Sequence, residues 1–344
     1  MSQEITSQSS ERDPAEDPVI AQAVAELSAD TRPATPAVRR GPITRREVLI
    51  APFALLAGLG IGTVIWRQTP AEFMVKDLVA VAKPAGEADT APAPLPDRFK
   101  LHVALHDLGP RLVAAGAIDL PRFIQINADA EKPLTDEQQA LLTASSDAPL
   151  EIDWSNAYFL LNLLWALGLT NQNPILTEGA MVQRSGGQIE GFASTGGWTL
   201  ATRPIADLYA SEPLISLTTV QQTRLETVAA GVYRPCCNNS TAFPDCNHGM
   251  AMLGLLELLA AQNASEAQMA EAAKVVNAFW FPQQMLEVAT LLRETEGLAY
   301  ADADPLRITG VNYSSATGFQ GIHRWLVENN RLGQPAAAGN RCGV

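Results

Sequence analysis

The 344-residue sequence has little charge. Asp, Glu, Lys and Arg make up 18% of it, whereas about a quarter is usual, and the Lys and Arg residues form no basic patch of the nucleic-acid type. Because nucleic-acid binding needs clustered positive charge, and the formal net charge is −13, no nucleic-acid partner is predicted. Part of the acidity lies in the first 30 residues, a polar stretch whose composition is typical of disorder.

Several motifs of known chemistry are also missing. The sequence has neither a P-loop nor a G-x-G-x-x-G motif, so no nucleotide cofactor is predicted. It lacks the C-x-x-C-H of c-type haem and the spacing of zinc fingers, and Cys246-Asn247-His248 supplies only half of a Rieske pattern. The G-x-S-x-G nucleophile elbow is absent as well. No enzyme class is therefore indicated.

A long uncharged run stands near the N-terminus. Val48–Trp66 contains 19 residues without charge, which nearly spans a hydrocarbon core of about 30 Å. Arginines at 39, 40, 45 and 46 precede it, so the positive-inside rule keeps the N-terminus cytoplasmic and sends the rest across. Thr44-Arg45-Arg46 also resembles a twin-arginine export signal, without the lysine that often closes that motif. We predict an uncleaved single-pass anchor and a periplasmic or cell-surface main domain.

The sequence divides into four parts. Residues 1–43 are predicted to be a disordered cytoplasmic tail and residues 44–67 a transmembrane signal-anchor. Residues 68–97 form a spacer rich in Pro and Ala, whose composition favours a semi-rigid extended chain. Residues 98–344 are predicted to be a mainly α domain with long ordered loops.

Helix signals recur through that domain. Thr135 with Gln138, and Ser265 with Gln268, have the spacing of capping boxes. Pro282 fits a first helical turn. The predicted helices cover residues 154–167 (with Gly168 as C-cap), 218–231, 247–262, 282–293 and part of 313–330.

Strand signals are few in the same domain. Short strands are predicted only at Phe123–Ile126 and Leu214–Leu217. The glycine-containing residues 170–200 are predicted to form long loops, which in compact domains are often functional.

The densest group of reactive side chains lies between Tyr233 and Leu256. It contains Cys236, Cys237, Cys246, His248 and Met250. Soft sulfur ligands select Cu(I), and thiolates with imidazole also suit zinc or iron. The sequence therefore predicts a metal site formed by the three cysteines and His248, with Met250 as a fifth ligand, and with copper ahead of zinc or an iron–sulfur cluster.

The same loop resembles the Pro-Cys-Tyr-Cys-Gly-Cys motif of small bacterial membrane-anchored surface proteins that are thought to bind metal. The resemblance covers about 30 residues and depends on a Pro-Cys start, a later Asp-Cys and a following helix. The alternating cysteines of that family are missing here. The resemblance implies a metal-handling role at the cell surface.

Other interpretations of the cysteines remain open. Outside the cytoplasm thiols oxidise, so Cys236 or Cys237 could form a disulfide with Cys246, leaving the other to pair with Cys342. The protein would then be a non-catalytic binding or scaffold module, with a protein partner at the cell surface. Alternatively, one cysteine would be the nucleophile of a thiol enzyme, with His248 as base.

Three other groups of residues attract attention. His102 and His106 would share one face of a helix beside Asp107, but Val103 stands where the glutamate of H-E-x-x-H belongs, so ordinary histidines on a half-buried helix are favoured. Near Ser194, glycines favour a tight turn with Trp198 closing over a pocket. Ser314 and His323 could meet only through the fold.

Overall fold

The computed structural model describes residues 95–332, and the helices and strands of this part are numbered in chain order. The two strands are β1 (Arg98–His106) and β2 (Ser146–Asp153). The α-helices are α1 (Leu108–Ala114), α2 (Leu120–Asp129), α3 (Asp136–Thr143), α4 (Ala157–Thr170), α5 (Pro174–Thr177), α6 (Ala180–Ser185), α7 (Ala193–Gly196), α8 (Ile205–Leu208), α9 (Thr219–Gly231), α10 (Asn247–Ala261), α11 (Glu266–Trp280), α12 (Pro282–Glu296), α13 (Pro305–Thr309), α14 (Val311–Ser314) and α15 (Ala316–Glu328). The prediction of a mainly helical domain is confirmed.

The predicted tail and anchor lie outside the described residues, as do nearly all of the spacer and the chain beyond 332. Within 95–332, none of the helices combines the length and the apolar character that crossing a membrane requires.

Two apolar helices, α4 and α10, form the centre of the main core. Almost every residue of both helices is buried, and two glycines lie where their backbones meet. A Cβ atom at Gly168 would lie 2.1 Å from the carbonyl oxygen of Met250, and one at Gly254 would lie 2.4 Å from that of Leu164. Gly168 is therefore not the predicted C-cap. The helix continues to Thr170, and the glycine serves close packing instead.

This contact gives a prediction. Gly168→Ala is expected to lower the free energy of unfolding by about 1–3 kcal/mol, because the added methyl forces the two helices apart. Urea denaturation measures the change. In the control Gly231→Ala at the end of α9, no atom lies within 4 Å of the new Cβ, so stability is expected to hold or rise by about 0.4–1 kcal/mol. Equal losses in both variants would contradict the close-packing explanation.

The strands lie elsewhere than predicted. Phe123–Ile126 belongs to α2, and Leu214–Leu217 forms no strand. The two strands pair instead as one antiparallel hairpin, with register shifts between Lys100 and His106. The irregular register places successive apolar residues of β1 against the core, and this obscures the two-residue periodicity on which sequence reasoning depends.

Three helices start where the capping boxes and Pro282 predict, whereas α4 begins at Ala157 rather than at 154. Thr135 and Ser265 cap α3 and α11, each with its reciprocal glutamine. Pro282 occupies the first turn of α12, which ends at Glu296 rather than near Arg293.

The segment from 170 to 200 differs from the predicted long loops. It contains α5, α6, a 3₁₀ turn (Ile189–Gly191) and α7. Trp198 does not close over a pocket. Its ring is buried in the main core, 4.8 Å from the ring of Trp165, and its Nε1 donates a hydrogen bond to the carbonyl of Ala117 at 2.9 Å.

Candidate metal centre

Three cysteine sulfurs meet where the loop after α9 enters α10. The Sγ atom of Cys246 lies 3.3 Å from that of Cys236 and 3.9 Å from that of Cys237, and all three lie within 4.8 Å of one another. Both measured distances exceed the about 2.05 Å of a disulfide bond. The predicted pairing of Cys236 or Cys237 with Cys246 is therefore not the state of this structure.

The size of the cluster suits a metal ion. Triangle geometry puts a point in the plane of the sulfurs, equidistant from all three, about 2.0–2.4 Å from each, and a zinc–thiolate bond of about 2.3 Å falls in that range. Within residues 95–332 this is the one group of three or more His, Cys, Asp or Glu side chains so arranged.

Cys246 is the N-cap of the 15-residue helix α10, and its sulfur accepts a hydrogen bond from the backbone N–H of Gly249 at 3.3 Å. A second hydrogen bond comes from Nε of Arg234 at 3.1 Å. A helix N-terminus and a guanidinium both favour the thiolate over the thiol.

Arg234 is fully buried and organises the loop around the cluster. Its Nη1 donates to the carbonyl of Asn239 at 2.8 Å. Its Nη2 donates to the carbonyl of Phe243 at 3.2 Å and to Oδ1 of Asp245 at 2.8 Å. The guanidinium lies against Gly249, where a Cβ would come within 2.4 Å of it. Sequence reasoning missed Arg234, because no local pattern distinguishes a buried arginine from an exposed one.

The cysteines differ in their acidity. Hydrogen bonds from Cys236 and Cys237, aided by the charge of Arg234, hold the pKa of Cys246 well below its ordinary value although burial opposes this. A hydrogen bond with Cys236 lowers the pKa of Cys237, but the bond with Cys246 and burial outweigh it and raise that pKa to about 12. The cluster therefore combines one anionic sulfur with thiols that must lose protons when a metal binds.

His248 lies beside the cluster but not in it. Its ring packs 4.5 Å from the ring of Phe281 and 5.9 Å from that of Trp280. Burial lowers the pKa of His248 to about 4, so the imidazole is neutral at pH 7, as a metal ligand must be. Within the described part of the chain its Nδ1 has no hydrogen-bond partner.

Met250 is placed in the main core, with no exposed surface. Its backbone is packed against Gly168 of α4.

The N-terminus of α15 holds the outer side of the loop. The backbone N–H of Ala316 donates to the carbonyl of Cys237 at 2.9 Å, and that of Thr317 donates to Oδ1 of Asn238 at 2.8 Å. Residues about 80 positions away thus hold Cys237 and Asn238, a contact that local sequence patterns do not reveal.

The other sequence candidates are not brought together. His102 and His106 lie exposed on β1 rather than on a helix, both with positive φ, and His106 Nδ1 lies 2.7 Å from a carboxylate oxygen of Asp147. The Ser314 hydroxyl donates to the carbonyl of Ile308 at 2.7 Å, whereas His323 pairs with Glu287 at 2.8 Å. Ser194 is buried.

The described residues thus define a mainly helical protein with a largely buried three-cysteine cluster beside a buried arginine. No family model, curated protein or solved structure matches the chain.

Proposed function

We propose that this protein binds one soft metal ion through Cys236, Cys237 and Cys246, on the outer face of a membrane to which Val48–Trp66 anchors it. Copper comes first as the metal, ahead of zinc or an iron–sulfur cluster, and the role is metal delivery, storage or electron transfer. The single observation that carries the proposal is the convergence of three sulfurs around a point at metal–thiolate bonding distance.

The environment of the cluster supports metal binding in two further ways. Three thiolates would carry three negative charges, which Zn(II) and the buried Arg234 would offset fully and Cu(I) and Arg234 would offset in part. His248 presents a neutral, buried imidazole next to Cys246. His248 therefore stays in the proposed set as a nitrogen ligand, and Met250, which is buried in the main core, stays as the fifth ligand.

Metal content measured on the full chain, purified anaerobically from its own compartment, tests the proposal. We expect about one metal ion per chain, lost in Cys246→Ser because that sulfur lies next to both of the others. The matched control Cys342→Ser changes the same residue type outside the cluster and is expected to keep the metal. His248→Phe, which preserves the aromatic packing, is expected to weaken binding by about 10–100-fold if the imidazole is a ligand.

Metal-free protein that takes up neither Cu(I) nor Zn(II) under reducing conditions would overturn the proposal. Equal loss of metal from Cys342→Ser would leave a metal site but place it elsewhere in the chain.

A further inference from the structure

The three-cysteine cluster also has the arrangement of a redox pair, and this does not require metal. The Sγ atoms of Cys236 and Cys246 are 3.3 Å apart, so a disulfide would form after a movement of little more than 1 Å. Cys236 is partly exposed, whereas Cys246 is only 7% exposed. An incoming sulfur can therefore reach Cys236 more readily than Cys246.

Two N–H groups donate hydrogen bonds to the sulfur of Cys246. Cys246 accepts N–H bonds from Arg234 and Gly249, and both favour a negatively charged sulfur. A sulfur in a disulfide carries no charge and is a weak acceptor, so both bonds would weaken on oxidation. The fully buried Arg234 would lose part of its compensation at the same time. The surroundings therefore stabilise the reduced pair more than the disulfide.

A disulfide whose reduced form is stabilised is a strong oxidant. We propose that Cys236 and Cys246 form a disulfide that is donated to compounds carrying two thiols, so that the protein acts as a thiol oxidant when it holds no metal. Metal and disulfide exclude each other, because two sulfurs joined in a disulfide are no longer thiolate ligands.

The exchange balances in two steps. A substrate thiolate attacks Sγ of Cys236, the Cys236–Cys246 bond breaks, and Cys246 leaves with the electron pair. The second substrate thiolate then attacks the substrate sulfur of the mixed disulfide and releases Cys236. The substrate loses two electrons and its two thiol protons as its disulfide forms. The cysteine pair gains the electrons, and each proton passes either to a released cysteine sulfur or to solvent. A disulfide compound such as glutathione disulfide restores the pair by the reverse exchange.

The experiment equilibrates metal-free full chain with mixtures of reduced and oxidised glutathione, followed by acid quenching, alkylation and peptide mass mapping. We expect one disulfide, between Cys236 and Cys246, with Cys237 alkylated. Oxidised protein should then convert a reduced dithiol peptide to its disulfide, at about one per chain. Cys236→Ser should abolish this transfer, and the matched variant Cys342→Ser, which changes a cysteine outside the cluster, should keep it within about twofold.

Arg234→Lys tests the cause of the oxidising character. It keeps a cation but cannot direct Nε–H at the sulfur, and the loss of one charge-assisted bond should shift the glutathione equilibrium about tenfold toward the disulfide.

A disulfide mapped to Cys236–Cys237, or transfer that survives Cys236→Ser, would overturn the inference. Stoichiometric metal binding without disulfide transfer would refute the proposed thiol oxidation and leave the proposed metal binding in place. Disulfide transfer without metal binding would refute metal binding and support thiol oxidation.

Discussion

Arg234→Gln is expected to lower the free energy of unfolding by about 3–5 kcal/mol, as is typical when one partner of a buried ion pair is removed. Arg234 is fully buried and pairs with Asp245 at 2.8 Å. Its other hydrogen bonds hold the carbonyls of Asn239 and Phe243 and the sulfur of Cys246. Glutamine cannot reach these acceptors, so several buried groups lose their donor together. Denaturant unfolding of metal-free, reduced protein measures the loss.

Arg184→Gln is the matched control. Arg184 is exposed and lies over the ring of Phe243, 5.3 Å from its centroid, so its replacement is expected to cost no more than about 1 kcal/mol. Similar small losses in both variants would show that Arg234 contributes little to stability and that its hydrogen bonds do not organise the loop.

The acidity of the cluster explains why this arginine stays charged. Burial alone would lower the pKa of Arg234, but the negative charge on Cys246 and the neighbouring cysteines raises it above its ordinary value. The cation and the thiolate therefore stabilise each other. Removing Arg234 should accordingly raise the pKa of Cys246, which alkylation rates measured against pH would detect as a shift to higher pH.

Local patterns predicted most of the long helices and three of their starts. The capping boxes at Thr135 and Ser265 and the proline at 282 depend on interactions within one turn, which a sequence displays directly. The strands depend on pairing between distant segments, and a bulged hairpin removes the alternation that would reveal them. Gly168 shows the same limit. Its role comes from close packing against Gly254 and Met250 on another helix. Its position near the end of an apolar run therefore led to the wrong prediction of a C-cap.

The candidate site was predictable in part. Crowding of Cys236, Cys237 and Cys246 within a few residues predicted their convergence, because a short loop keeps them near one another. The surroundings were not predictable in the same way. Arg234 is distinguished only by its complete burial, and the contact between Cys237 and Ala316 joins remote parts of the chain. The buried Arg234 adds to the hydrogen bonds from Cys236 and Cys237 that hold Cys246 anionic, and it therefore affects which chemistry the cluster favours.

Glu257→Gln is expected to stabilise the protein at neutral and higher pH. Glu257 lies on α10, and its side chain is fully buried. Burial raises its pKa well above the ordinary 4.5, and the amides of Asn171 and Asn173 only partly oppose this. Neither amide completes a hydrogen bond to it, and neither carboxyl oxygen has a partner among residues 95–332. The folded protein therefore holds a neutral carboxyl group at pH values where the unfolded chain carries a carboxylate.

The sign of the pH dependence follows from that difference. Since the folded pKa is the higher one, the folded state binds more protons between the two pKa values, and stability falls as pH rises. The contribution of Glu257 is complete below about pH 4.5 and is lost progressively as pH rises through the folded pKa. Glutamine is neutral throughout, so the advantage of the variant should be near zero at pH 4 and reach about 1–3 kcal/mol at pH 8.

Urea denaturation of wild type and variant across that range measures the difference. The control Glu226→Gln removes an exposed carboxylate on α9 that accepts a hydrogen bond from Gln222 at 2.7 Å, and it should change stability by less than about 0.5 kcal/mol at any pH. An advantage of Glu257→Gln that did not grow with pH would mean that Glu257 is ionised in the folded state.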